Sequence, residues 1–408
     1  MAVHLTLLRH AESTGNAAGV WQGSTDAELT PRGRAQADAV VGRLAGRSFD
    51  LVVSTGMRRT DETIAGLRAP VEVDPGFREI ALGEWEGLSA AEVRARYPDA
   101  VARLLAGEDV APTGGETLRE FVERIVAALA GLLDRLDDGD RVLVVTHGGV
   151  IQNLVAHHLG LEPGFRSMGI VANTSLTELV VDDAGVRLEV YNDAVHLPDP
   201  WTRGRHAADP HVHLIRHGET DANVSGRWQG RTDTLLNANG LAQAELLAKV
   251  APPVDVVVAS PLRRARDTAD ALARLRGVPL RIDPDLVEID FGSWENRTRE
   301  EIAHLDAEGY RAVYGEGRDL PRGGTGETFA EASRRIARAV ARAAEDPGAD
   351  EPGLVGHGGA FRAYVATVLG LDFVDRDRLA LPRNASVSTV RLDESGATVA
   401  RYNVAVPA

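Results

Sequence analysis

The sequence predicts two tandem three-layer α/β/α domains, each with a mostly parallel central sheet flanked by helices. Three observations lead to this fold class. The length of 408 residues exceeds what one compact core normally spans. Short apolar strands alternate with amphipathic helices, a pattern typical of a largely parallel sheet that is covered on both faces. The motifs of the first half also recur, in the same order, in the second half.

The repeat is clearest in the segment LLRHAESTGN, residues 7–16, which recurs as LIRHGETDAN at 214–223. Three further pairs of similar segments are WQGSTDAEL with WQGRTDTLL, EIALGEWEG with EIDFGSWEN, and VVTHGGVIQN with LVGHGGAFRA. We therefore predict a first domain at 1–198, a linker at 199–210 that is rich in proline and charge, and a second domain at 211–408.

Local signals place the elements of the first domain. Thr30 and Pro31 are suited to the N-cap and the first residue of a helix. Thr117 and Glu120 have the spacing of a capping box and precede a helix with an apolar stripe. The predicted strands are residues 3–8, 49–54, 141–149, 175–181 and 186–191. Since ligands of such folds lie beyond the carboxyl ends of the strands, His10 and His147 are expected to meet there.

Composition limits the classes of function. The formal net charge of -15 disfavours nucleic acid and anionic membranes as partners. The absence of cysteine removes disulfides and thiolate chemistry. No segment has the apolar length of a membrane span, so a cytoplasmic protein is the expectation. Lys249 is the only lysine among 45 basic residues, a bias that favours a GC-rich bacterial source.

The candidate site residues suit the transfer of a phosphoryl group, in which positioning and positive charge dominate. Arginine binds phosphate through a planar, permanently charged fork, and a neutral imidazole can attack phosphorus. A second histidine would bind the same phosphate, and a carboxylic acid would protonate the leaving oxygen. The candidates are Arg9, His10, Arg59, Glu79 and His147 in the first half, and Arg216, His217, Arg264, Glu288 and His357 in the second.

Each candidate taken alone has an ordinary structural explanation. Arg59 and Arg264 suit a solvated helix surface, and a single histidine such as His147 is more often a satisfied core residue. Five suitable residues in the same order, twice, favour the functional interpretation. Duplication makes the two copies non-independent, however, so the recurrence supports retention of the site less than an independent one would.

The chain resembles the histidine phosphatase superfamily, also called phosphoglycerate mutase-like, in tandem. The resemblance rests on RHxE[ST]xxxN at 9–16 and 216–223, the R-[AT]-x-x-T segments, E-I-x-x-G-x-W-E and the late H-G-G. It implies that His10 and His217 become transiently phosphorylated, with Glu79 and Glu288 as proton donors. It further implies that the phosphate pockets consist of Arg9, Arg59 and His147, and of Arg216, Arg264 and His357. Asn16 and Asn223 would contact phosphate or substrate.

The expected function is a phosphomonoesterase acting on a small phosphorylated metabolite, with a site in each domain and no metal or cofactor. Glu79 and Gly114 are only 35 positions apart, and this short connection favours hydrolysis over mutase chemistry. Three alternatives stay open: a non-catalytic binding or scaffolding half, mutase-like phosphoryl transfer, and a recruited non-hydrolytic reaction. The substrate, the oligomeric state and whether the halves pack as a pseudo-dimer stay open as well.

The leaving-group pocket is expected in the variable segments 88–113 and 295–322. Their arginines suit either an acidic substrate or, more often, a solvated helix face. These residues are Arg94, Arg96, Arg103, Arg297, Arg299, Arg311 and Arg318.

Overall fold

The computed structural model describes residues 2–162, 168–201, 209–394 and 396–405. The chain divides into two compact units, Met1–Pro200 and Trp201–Ala408, which are described separately below. The linker predicted at 199–210 lies largely outside the described residues and stays a prediction. None of the helices in the described ranges combines the length and apolar character needed to cross a membrane.

The first unit is built on a six-stranded sheet with the order β3-β2-β4-β1-β5-β6. The strands are β1 (Ala2–Arg9), β2 (Leu51–Ser54), β3 (Val71–Val73), β4 (Arg141–Thr146), β5 (Leu176–Asp182) and β6 (Gly185–Asp193). The pairs β1/β4, β4/β2 and β2/β3 are parallel, whereas β5 runs antiparallel to both β1 and β6. This confirms the predicted mixed α/β fold with a mostly parallel sheet.

The helices of the first unit are α1 (Thr14–Ala18), α2 (Pro31–Leu44), α3 (Arg58–Ile64), α4 (Ala90–Arg96), α5 (Pro98–Leu105), α6 (Leu118–Leu133) and α7 (Gly148–Leu159). Thr30 caps α2 through a bond from the Gly33 amide, and Thr117 and Glu120 form a capping box at α6, as the sequence predicts. The strand predicted at 141–149 ends earlier, at Thr146, because His147 is the N-cap of α7.

The second unit repeats this sheet in the order β9-β8-β10-β7-β11-β12. Its strands are β7 (His211–Arg216), β8 (Val256–Ala259), β9 (Leu280–Ile282), β10 (Pro352–Gly356), β11 (Ser386–Asp393) and β12 (Gly396–Ala405). Its helices are α8 (Asp221–Val224), α9 (Ala238–Val250), α10 (Arg263–Arg276), α11 (Arg299–Leu305), α12 (Ala307–Tyr310), α13 (Phe329–Ala344) and α14 (Gly358–Val368). A π-helical turn at Arg311–Gly315 follows α12.

The centre of each sheet is buried and places the candidate site at one edge. Four consecutive β4 residues, 142 to 145, are fully buried valines and leucine that pack under both helical layers. In the β1/β4 register Arg9 lies beside Thr146, so His10 and His147 follow directly at the same carboxyl edge. In the second unit Arg216 lies beside Gly356, which brings His217 and His357 to the equivalent place.

Candidate active site

Two histidines from neighbouring parallel strands face each other in each unit. The rings of His10 and His147 have centroids 5.2 Å apart in an edge-on arrangement. The rings of His217 and His357 repeat this at 5.2 Å. All four side chains are buried. The expectation that His10 and His147 meet at the sheet edge is therefore confirmed.

The first histidine of each pair is held in one tautomer. His10 Nδ1 lies 2.7 Å from the carbonyl oxygen of Ala11, which can only accept, so Nδ1 carries the hydrogen and Nε2 keeps its lone pair. Burial, followed by the charges of Arg9 and Arg59, lowers the pKa of His10 well below its usual value. The imidazole is neutral at pH 7 and is suited to act as a nucleophile.

His217 repeats this arrangement. Its Nδ1 donates to the carbonyl of Gly218 over 2.6 Å. Burial, followed by Arg216 and Arg264, lowers its pKa well below the usual value. Two neutral nucleophile candidates are thus prepared by the same local bond.

A buried arginine holds the WQG loop in each unit, and in the first unit it also bonds to the second histidine. Arg59 donates from its two terminal nitrogens to the carbonyls of Thr25, at 2.6 Å, and Gly23, at 3.0 Å. Its remaining Nε edge donates to His147 Nδ1 at 3.3 Å. The structural reading of Arg59 as a solvated surface residue is wrong, because only 1% of the residue is exposed.

Arg264 makes the same two carbonyl bonds, to Thr232 and Gly230, both at 2.8 Å. The Nε atoms of Arg264 and Arg216 and the Nδ1 atom of His357 are buried without a hydrogen-bond partner among the described residues. Arginine keeps its proton here, since burial lowers the pKa of Arg216 only to about 10. Buried donors such as the two Nε atoms normally have a partner, and a phosphate anion would supply one.

The second histidine is anchored by a hydroxyl group that follows β2 or β8. His147 Nε2 lies 3.2 Å from Thr55 Oγ1, and His357 Nε2 lies 2.9 Å from Ser260 Oγ. Sequence analysis did not single out Thr55 and Ser260. Their signal is a hydroxyl residue at the end of a strand, four residues before the arginine.

Glu79 lies at the N-terminus of the helix that follows the second histidine. Its carboxylate accepts the amides of Ile80 and Gly149, both at 3.0 Å. Glu288 accepts the amides of Ile289 and Ala360 at 2.8 Å and that of Gly359 at 3.0 Å. In both units the second glycine of the H-G-G motif thus donates its amide to the carboxylate.

Glu79 and Glu288 are further fixed by an arginine on α6 or α13. Arg124 pairs with Glu116 at 2.7 and 2.8 Å and donates to the carbonyl of Glu79 at 3.3 Å. Arg335 and Glu327 repeat this pair in the second unit. These are positioning residues, which sequence analysis missed although Glu116 belongs to the GGET motif.

The predicted substrate contacts Asn16 and Asn223 serve first as helix caps. Asn16 Oδ1 accepts the amide of Ser13 at 3.2 Å, completing a capping box at α1. A second asparagine, Asn173, donates to this oxygen at 3.2 Å and to the carbonyl of His10 at 3.0 Å. The oxygen of Asn16 is therefore occupied, and its amide nitrogen is the group left for a ligand.

The second unit has the same link between nucleophile and cap. Asn384 donates to Asn223 Oδ1 at 3.2 Å and to the carbonyl of His217 at 3.1 Å. Both new asparagines precede a residue with positive φ, Thr174 at 57° and Ala385 at 55°. The shared N-[TA]-S before β5 and β11 was the signal available in the sequence.

In the second unit the site opens into a cavity of about 670 Å³, which His217, Arg264, Glu288 and Asn223 help to line. In the first unit a cavity of about 500 Å³ lies beside Glu79, but His10 does not line it. In the ranges that the structure covers, no group of three His, Asp or Glu side chains is arranged to hold a metal ion.

Comparison with known proteins identifies the family. A probable phosphoglycerate mutase of Enterobacter sp. (strain 638) is 37% identical over 186 residues, which is 45% of this chain and 86% of that protein. A protein of the same description from Escherichia fergusonii has the same identity and coverage.

Two solved structures have similar sequences. The mycobacterial glucosyl-3-phosphoglycerate phosphatase is 31% identical with a TM-score of 0.42, over 48% of this chain and 100% of that chain. The alpha-ribazole phosphatase from Shigella flexneri is 31% identical with a TM-score of 0.43, over 48% and 98% of the two chains. The model of the histidine phosphatase superfamily (branch 1) matches residues 5–194 and 212–405, and the chain therefore belongs to this superfamily in both of its halves.

Proposed function

We propose that the chain is a phosphomonoesterase that hydrolyses a small phosphorylated metabolite through a phosphohistidine, with a working site in each domain. The observation that carries the proposal is the bond from Nδ1 of His10 and of His217 to the next carbonyl. It leaves Nε2 as a lone pair on a neutral, buried ring beside two arginines, which is what nucleophilic attack on phosphorus requires.

In the first step His10 Nε2 forms a bond to phosphorus while the ester oxygen leaves. Arg9, Arg59 and His147 bind the phosphoryl oxygens, on which the charge of the transition state is spread. Glu79, once protonated, gives its proton to the departing oxygen, so that an alcohol leaves rather than an alkoxide.

In the second step water attacks phosphorus and the bond to His10 Nε2 breaks. The Glu79 carboxylate takes a proton from this water, and inorganic phosphate leaves. The amide of Gly149 at the start of α7 keeps the Glu79 carboxylate in position for both steps. The second domain uses His217, Glu288, Arg216, Arg264 and His357 in the same roles.

Histidine substitutions test this function and the number of sites. Phosphate release from a panel of sugar, nucleotide and acid phosphates is compared for His10→Ala, His217→Ala and the double variant, with exposed His157→Ala as the control. Two working sites predict that each single variant keeps the activity of the other domain and that the double variant loses activity and acid-labile phosphoprotein. Total loss from one substitution assigns a binding or scaffolding role to the other half.

Mutase chemistry is the second candidate, because the curated relatives are described as probable phosphoglycerate mutases at 37% identity. The phosphohistidine would then pass its phosphoryl group to a second hydroxyl rather than to water. Incubation with 3-phosphoglycerate separates the two reactions: isomerisation to 2-phosphoglycerate without net phosphate release would replace hydrolysis as the function.

A further inference from the structure

Among the arginines that line the cavity of the second domain, three come from separate segments and form a cluster: Arg322, Arg362 and Arg376. Arg322 and Arg376 are only 1% and 4% exposed, and the side chain of Arg362 is 20% exposed. The sequence analysis did not single out any of them. The arginines that it did weigh in this region, such as Arg311 and Arg318, have mostly exposed side chains paired with Glu316.

The three positively charged guanidinium groups contact only two carboxylates among the described residues. Arg322 pairs with Asp319 at 2.6 Å. Arg376 and Arg362 share Asp377, at 3.2 and 3.4 Å, and the side chain of this aspartate is 69% exposed. Three cations thus contact two carboxylates, one of them largely in solvent. The Nε atom of each arginine is buried and has no hydrogen-bond partner among the described residues.

Aromatic rings hold two of the arginines in place. The guanidinium carbon of Arg376 lies 3.9 Å from the centre of the Phe373 ring, and that of Arg322 lies 4.5 Å from the same ring. Tyr314, on the π-helical turn, stacks on Arg376 from 5.0 Å. Burial lowers the pKa of Arg376, and the nearby charges of Arg362 and Arg322 act in the same direction against Asp377. The cluster is therefore a desolvated, preorganised excess of positive charge, which a bound anion would stabilise.

The first domain does not repeat this cluster. Thr113, which is exposed, occupies the place of Arg322 before the paired glycines. Gln152 occupies the place of Arg362, and its amide donates to the carbonyl of Met168 at 2.7 Å. The counterpart of Arg376 falls within residues 163–167, which include Arg166 and lie outside the described part of the chain, so the contrast rests on the other two positions. The two described differences remove cations beside a phosphate pocket that is otherwise retained.

We propose that the arginine cluster of Arg322, Arg362 and Arg376 binds a second anionic group, a carboxylate or a phosphate, on the leaving group of the substrate used by the second domain. The inference rests on the proposed function for the identity of the reacting group, but the anion site itself is a binding property. The second domain then prefers phosphomonoesters of acidic alcohols, whereas the first domain lacks this preference.

Binding to an inactivated protein tests the cluster without turnover. The His10→Ala/His217→Ala protein is titrated calorimetrically with two matched pairs: 3-phosphoglycerate against glycerol 3-phosphate, and 4-carboxyphenyl phosphate against phenyl phosphate. The two pairs place the carboxylate at different distances from the phosphate. We expect the acidic member of at least one pair to bind about tenfold more tightly at a second-domain site, as one charge-assisted contact would provide.

Arg362→Gln, added to this protein, should remove most of that preference while changing the affinity for the neutral ester less than about twofold. Glutamine is the residue that the first domain carries at this place, so the variant is expected to fold. Arg322→Gln provides a second, more deeply buried test. Arg274→Gln, which removes one charge from the exposed face of α10, is the control and should leave the preference intact.

Equal affinities within both pairs would overturn the proposal, as would a preference that survives both Arg362→Gln and Arg322→Gln. Hydrolysis by the His10→Ala protein is measured on the same esters. Anion preference without hydrolysis would refute the proposed function alone, and hydrolysis without preference would refute the anion site alone.

Discussion

The two domains differ in their cavities far more than in their phosphate pockets. His10 and His217 share one tautomer, and Arg59 and Arg264 hold the same loop carbonyls. Around the leaving group, by contrast, buried Arg322 corresponds to exposed Thr113. Side chains that hold the loop carbonyls and fix the histidine tautomer have little freedom to change after duplication. Positions that face substrate change with the substrate.

The largest expected effect, which should be the same in both domains, comes from replacing the carboxylic acid. Glu79→Gln and Glu288→Gln, each made in a protein whose other domain lacks its nucleophile, should lower kcat for an alkyl phosphate about thousandfold, because glutamine has no proton to donate. The loss on 4-nitrophenyl phosphate should be much smaller, since nitrophenolate leaves without a proton. Exposed Glu108→Gln is the control. Equal losses on both esters would show that the carboxylate has a structural role instead.

The second largest loss of activity is expected from changing the arginine that holds the WQG loop. Arg59→Lys and Arg264→Lys keep the charge, but the single nitrogen of lysine lacks the planar fork with which arginine reaches two separate carbonyls. We expect kcat/KM to fall about hundredfold in the affected domain. Steady-state kinetics of the single-site proteins measure this. A lysine variant with full activity would mean that the bonds to Thr25 and Gly23 do not position the loop.

Acid stability should change alike in both domains. Burial lowers the pKa values of His10 and His147 below that of an unfolded histidine, so below about pH 6.5 the unfolded chain binds more protons than the folded one. The free energy of unfolding should therefore fall as the pH drops, by roughly 1.4 kcal/mol per pH unit and histidine. Hydrogen exchange of peptides from each domain, between pH 7.5 and 5.5, measures the slope.

His10→Asn/His147→Asn should flatten this pH dependence in the first domain and leave the second domain as the internal control. Inorganic phosphate should offset the loss, because the anion favours protonated rings. A stability that is flat with pH in the unsubstituted protein would contradict the assigned burial of the histidine pairs.

The smallest expected effect concerns a tryptophan that both domains share. Trp294 Nε1 donates to Asp306 at 2.9 Å, whereas Trp85 Nε1 has no partner among the described residues and packs near Tyr97 instead. Asp306→Ala should lower the free energy of unfolding by about 1 to 3 kcal/mol, the cost of an unsatisfied buried donor. Asp306→Asn keeps one of the two acceptor oxygens, which now serve Trp294 and the amide of Gly309, and should therefore cost less than Asp306→Ala. Denaturant unfolding followed by tryptophan fluorescence measures both.

Much of the site followed from the sequence because its signals are local. An apolar run followed by a histidine predicts a strand end, and two such runs in a parallel sheet bring His10 and His147 to one edge. The caps of α2 and α6 were likewise predictable, because Thr30 and Thr117 act on amides three residues away. The roles assigned to Arg9, Glu79 and their counterparts stay predictions, and the Glu79→Gln and Glu288→Gln variants test that of the acid.

The residues that sequence analysis missed act over long separations. Asn173 donates to His10, 163 positions away, so nothing near Asn173 marks its partner. Arg322, Arg362 and Arg376 come from three segments, and only the folded chain brings them to one cavity. The difference between exposed and buried arginine depends on such packing, which composition and spacing do not encode.

The bond between the carboxylate and the start of the helix requires glycine at one position in each domain. A methyl group on Gly149 would lie 2.3 Å from Glu79 Oε1, and one on Gly359 would lie 2.8 Å from Glu288 Oε1. No side chain fits there while the carboxylate stays in place. If one domain of a tandem enzyme loses its activity and its acid, this position can then accept alanine or serine. Both halves of this chain have glycine here, so both accommodate the carboxylate at this helix start.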